Sequence, residues 1–153
     1  MINLKQNKMK NEPIIVERVY NAPIAKVWSA ITNNDELKLW YFKLEDFKPE
    51  VGFKFEFMGG PEDGIQYRHL CEVTEVIKGK KIAYSWRYDG YPGNSLVSWE
   101  LFERGDKTLL KLTHEGIETI AVAGPDFARS NFVAGWDSFV NEVLLNYLEP
   151  IKA

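Results

Sequence analysis

Apolar and polar positions alternate with a period of two through the middle of the chain. Phe53, Phe55 and Phe57 fall on one face of the run Val51–Phe57, the pattern of a half-buried strand. Ile82, Tyr84, Trp86 and Tyr88 repeat it, then Val97, Trp99 and Leu101, then Leu110, Leu112 and His114. Tyr67–Ile77 reads as a longer strand whose inward face the pattern leaves open. Turn-forming stretches separate these runs: Met58–Gly64, Lys78-Gly79-Lys80, Asp89–Asn94 and Arg104-Gly105-Asp106. The last is short enough to predict a tight hairpin.

The two ends follow other periods. Ile14–Tyr20 is β-branched and predicts a strand, which Asn21-Ala22-Pro23 breaks. Ile24, Val27, Trp28 and Ile31 then recur at helical spacing, with Pro23 at an early helical position. A second short helix is predicted through Trp40, with Asn34 or Asp35 as its cap. Near the end, Phe132, Trp136, Phe139, Val140, Val143 and Tyr147 form one stripe. They predict a long helix that begins at Asp126 or Ser130 and stops before Pro150. The order implies an α+β fold: a curved antiparallel sheet of about six strands with helices segregated to one side. A long helix laid across such a sheet encloses an apolar space. Residues 1–12 read as a polar tail and 13–153 as a single domain.

Composition sharpens one point. Phe, Trp and Tyr make up 14% of the 153 residues, with five tryptophans. Those on inward strand positions (Phe55, Phe57, Tyr84, Trp86, Trp99), Trp40 on the second helix, and Phe132, Trp136 and Phe139 on the last helix are candidates to line a ligand cavity. The net charge of −3 argues against nucleic acid as a partner. No apolar run is long enough to span a membrane, and the first residues lack the apolar core of a signal peptide, so a cytoplasmic location is expected. The lone Cys71 allows no internal disulfide and is expected in the core. No phosphate loop, Ser/His/Asp arrangement or metal-ligand spacing occurs, so neither metal nor cofactor is expected.

His114-Glu115 invites reading as an acid–base pair, but neighbouring strand residues point to opposite faces. His114 shares its face with Leu110 and Leu112 and should point inward, while Glu115 points out. His114 is therefore a buried neutral histidine, a polar handle for a ligand, or an acid–base residue facing Tyr67, Tyr84 or His69. For His69 itself, a surface or rim position is expected.

Ile15–Pro23 (IVERVYNAP), with Val27-Trp28 and Ile31-Thr32, resembles the start of a START-like, polyketide-cyclase-type helix-grip domain. Trp40, Tyr84-Ser85-Trp86, Val97–Leu101, Thr108–Gly116 (TLLKLTHEG) and Gly135-Trp136 together resemble the family named for activators of heat-shock protein 90 ATPase. The resemblance covers residues 14–149. It implies a birch-allergen-like fold and a hydrophobic small molecule, such as a lipid or polyketide-like compound, as partner. A cyclase- or hydrolase-type enzyme using His114, and a chaperone-associated interaction protein, are the alternatives it leaves open. A monomer or weak homodimer is expected. Gly124-Pro125 and Gly135 would let the last helix act as a lid, or Gly135 would simply allow close packing on the sheet.

Overall fold

Six strands form one antiparallel sheet in the computed structural model, which describes residues 12–61 and 63–150. They are β1 (Ile14–Tyr20), β2 (Lys54–Gly59), β3 (Tyr67–Ile77), β4 (Lys81–Tyr88), β5 (Ser95–Arg104) and β6 (Lys107–Glu115). Their spatial order is β1-β6-β5-β4-β3-β2, so β2 to β6 form a meander and β1 closes on its last strand. The β1–β6 register runs unbroken from Ile14 opposite His114 to Tyr20 opposite Thr108. Gly105, with φ at +65°, sits first in the two-residue turn between β5 and β6. That is where a hairpin turn needs glycine. The expected tail, residues 1–12, lies outside the described residues except for Glu12.

The alternating residues take the faces their parity assigns. Phe55 and Phe57, then Ile82, Tyr84, Trp86 and Tyr88, then Val97, Trp99 and Leu101, then Leu110, Leu112 and His114 are all buried. On β3 the inward set is His69, Cys71 and Val73. The register of β3 on β4 shifts between Val73 and Glu75. Such a bulge bends the strand and disrupts its alternation, which is why periodicity did not settle its face.

Helices α1 (Ile24–Thr32) and α2 (Asn34–Trp40) fill the β1–β2 connection. Pro23 is the N-cap of α1 rather than its first residue. The cap of α2 is Asn33, one residue before the positions expected, and its side chain accepts from the Glu36 N–H. After α3 (Ile117–Ala121) and a 3₁₀ turn (Pro125–Phe127) comes the long C-terminal helix. It consists of α4 (Arg129–Ser138), a π turn (Phe139–Val143) and α5 (Leu144–Leu148). The helix thus starts at Arg129, with Ala128 as cap, and not at Asp126.

The π turn also moves the apolar face. Four residues of regular α-helix overshoot a full turn by about 40°, so a strict four-residue spacing drifts off one face. The residues fully buried on this helix are nevertheless Trp136, Val140, Leu144 and Leu148. The wider i→i+5 turn absorbs the drift. Val143 and Tyr147, expected on the buried stripe, are only half-buried. The Tyr20 hydroxyl donates to the Val140 carbonyl at 2.5 Å, tying the π turn to β1.

Candidate ligand cavity

A cavity of about 490 Å³ opens between the sheet and the start of the C-terminal helix. Trp86 and Tyr88 of β4 and Tyr67 and His69 of β3 form the sheet wall. Phe132, Gly135 and Trp136 of α4, with Asn131 and Phe139, form the helix wall. Phe42, Phe127, Asp126 and the Gly59-Gly60-Pro61 turn complete it. Of the candidates named from sequence, Trp86, Phe132, Trp136 and Phe139 line this space. Trp40, Phe55, Phe57, Tyr84, Trp99 and His114 are buried in packed core beside it.

The segment after α2 explains that division. Tyr41, Leu44 and Phe47 fold down on the sheet and fill the far end of the space under the helix. The Tyr41 hydroxyl lies 3.0 Å from that of Tyr84, and the Phe47 ring meets Phe55 edge-on at 5.1 Å. Trp99 donates its indole N–H to the Tyr84 hydroxyl and Trp40 donates to the Ala30 carbonyl, so both indoles are satisfied within the core. Phe57 stacks between Phe42 and His69, with centroids at 4.1 and 4.4 Å, and lies behind the cavity wall.

His114 is fully buried, and both ring nitrogens are committed. Trp136 Nε1–H donates to Nδ1 at 2.9 Å, so in the neutral ring the proton sits on Nε2. Nε2–H then donates to Ser95 Oγ at 2.8 Å, and Ser95 donates to the Trp86 carbonyl at 2.7 Å. Burial pushes the His114 pKa down to about 3, which keeps the ring neutral. A serine 2.8 Å from a histidine looks like a nucleophile with its base, but the protons run the wrong way. A base must accept the serine proton, and here the histidine donates to the serine. None of Tyr67, Tyr84 and His69 bonds His114. The arrangement anchors the helix to β4, β5 and β6 and leaves His114 no free lone pair to act as a base.

The polar groups that do face the cavity are others. His69 was expected at the surface or rim; it is buried on the inner face of β3 and lines the space. Its Nδ1–H donates to the Tyr67 carbonyl at 2.9 Å, which leaves Nε2 as an acceptor. Burial lowers its pKa to about 4, against the opposing effect of the Tyr67 and Phe57 carbonyls. The Tyr88 hydroxyl accepts Trp86 Nε1–H at 2.9 Å and retains its own proton to donate. At the mouth, Tyr67 donates to the Asp126 carboxylate at 2.5 Å, a bond that raises its pKa to about 12. Among the described residues, neither Lys nor Arg lines the cavity. Among the described residues, no three His, Cys, Asp or Glu side chains gather as a metal site requires.

Gly135 does not serve close packing. A methyl group built there would meet nothing within 4 Å, because the position faces the open cavity.

A curved antiparallel sheet gripping a long C-terminal helix over such a space defines the START-like helix-grip class. Residues 21–149 match the family model described as Activator of Hsp90 ATPase homolog 1-like protein, and the chain belongs to that family. No curated protein sequence matches the chain. Among solved structures, Bacillus halodurans protein BH1534 is similar, with 29% identity and a TM-score of 0.69 over 90% of this chain and 96% of that one. CalU16 from Micromonospora echinospora shares 25% identity at a TM-score of 0.69, covering 90% and 76%. DynU16, a protein of the dynemicin biosynthetic locus, matches at 24% identity and a TM-score of 0.73, covering 91% of this chain and 48% of its own. Fold and family support a ligand-binding or cyclase-like role. No described helix is long and apolar enough to cross a membrane.

Proposed function

We propose that this protein binds an apolar, ring-bearing small molecule in the cavity between β3, β4 and the C-terminal helix, and performs no chemistry on it. One observation carries the reading: about 490 Å³ of space, walled mainly by aromatic rings and carrying a few fixed polar groups. That falls within the ~300–1,000 Å³ of small-molecule sites and has their composition. The aromatic walls supply apolar area without selectivity, and His69 and Tyr88 supply orientation. His114 acts one layer behind, holding Trp136 in place as part of the wall. A chaperone-associated role finds no comparable feature.

Tryptophan fluorescence tests the proposal, because Trp86 and Trp136 line the cavity. A panel of lipids and fused-ring polyketide-like compounds should give a saturable, one-to-one change with at least one class. No saturable change with any member would count against a binding function. Native mass spectrometry of protein from its own host should show a retained small molecule.

A further inference from the structure

Two neighbouring groups on the sheet wall specify more than an apolar ligand. His69 and Tyr88 face each other across β3 and β4, with ring centroids 4.5 Å apart. Each is held by a bond that dictates what it offers. The Tyr67 carbonyl takes the His69 Nδ1–H, which leaves the Nε2 lone pair. Trp86 fills one acceptor position of the Tyr88 oxygen, and among the described residues no acceptor takes the Tyr88 O–H. The wall therefore presents one acceptor and one donor side by side. The two do not satisfy each other by a hydrogen bond.

From this we infer that the cavity selects a neutral aromatic hydroxyl, a phenol or enol, which donates to His69 Nε2 and accepts from the Tyr88 O–H. The inference rests on the binding function proposed above. A hydroxyl oxygen both donates and accepts from one atom. An ether or ketone would satisfy Tyr88 alone. A protonated amine would satisfy His69 alone. A carboxylate would enter a space with no Lys or Arg among the described residues of its walls, past the carboxylate of Asp126 at the mouth. A buried anion without a paired cation is strongly disfavoured. Phe42, Trp86, Phe132 and Trp136 favour a ring beneath the hydroxyl.

Calorimetric titration of the full chain with 2-naphthol, 2-methoxynaphthalene and 2-naphthoate at neutral pH separates these possibilities. The ether keeps the Tyr88 bond but leaves the buried His69 acceptor unpaired, so 2-naphthol should bind about tenfold tighter than the ether, and the carboxylate weakest. In Tyr88→Phe both 2-naphthol and the ether should lose a few-fold in affinity, because each accepts from the Tyr88 O–H, while the naphthol advantage held by His69 persists. If that variant does not fold, the ranking on the unmodified protein still decides. A naphthol advantage below about threefold over either competitor overturns the hydroxyl assignment and leaves the cavity reading standing. Unchanged affinity of folded Tyr88→Phe for both 2-naphthol and the ether overturns the role of Tyr88. Failure of all three compounds to bind overturns both inferences.

Discussion

Mild acid should destabilise this protein through its two buried histidines. Burial holds His114 at about 3 and His69 at about 4, whereas both titrate near ~6.5 in an unfolded chain. Above that value neither state carries a proton on these rings, and their contribution to stability is fully present. As the pH falls below it, the unfolded chain takes up protons that the native core refuses. Stability then drops by about 1.4 kcal/mol per pH unit for each ring. Between pH 8 and pH 5 each histidine costs about 2 kcal/mol and the pair about 4 kcal/mol. The decline ends near pH 4 for His69 and near pH 3 for His114. A loss of that size is a large share of the ~5–15 kcal/mol typical of a domain. Urea unfolding followed by tryptophan fluorescence at pH 8, 6.5 and 5 measures it directly. His69→Phe keeps a ring against Phe57 and removes one titration, so about half of the loss should disappear. Stability constant within about 1 kcal/mol from pH 8 to pH 5, or an undiminished loss in His69→Phe, would refute the reasoning.

Other perturbations separate the cavity from the core. Gly135→Leu places a side chain in open space and removes a helical glycine, which should stabilise by about 1 kcal/mol in thermal unfolding while lowering ligand affinity more than about tenfold. Ser95→Ala removes the acceptor for His114 Nε2–H and should cost about 1–3 kcal/mol in denaturant unfolding, with ligand affinity unchanged because Ser95 lies outside the cavity. Gly93→Ala should be severely destabilising by the same assay. Its φ is +97°, and the new methyl would lie 2.3 Å from the Thr119 carbonyl oxygen.

The inward sets on β2, β4, β5 and β6 were legible because strict alternation survives wherever one face is buried. The separation of His114 from Glu115 follows from the same rule. The inward position of His69 was not legible. Half-buried Leu70 stands on the opposite face of β3, and the bulge after Val73 breaks the pattern a few residues on. The position of the cavity was hidden for another reason. The rings of Tyr41, Phe42 and Phe47 lie in a segment without periodicity, yet they decide which end of the space under the helix is filled. Trp40, Phe55, Tyr84 and Trp99 are inward as their pattern implies, but sit at the filled end. On the last helix, spacing alone gave no sign of the π turn that favours Leu144 and Leu148 over Val143 and Tyr147.

The proposed binding site for a small aromatic molecule is the space beside Trp86 and Trp136. Nitrogen-15 NMR of the five tryptophan side chains during titration with 2-naphthol reads it most directly. Trp86 and Trp136 line the cavity, whereas half-buried Trp28 lies on α1 away from it. Binding there should give saturable one-to-one shifts of the Trp86 and Trp136 indole signals, an unmoved Trp28 signal, and loss of the response in Gly135→Leu. Shifts that do not saturate, that appear equally at Trp28, or that persist undiminished in Gly135→Leu would contradict it.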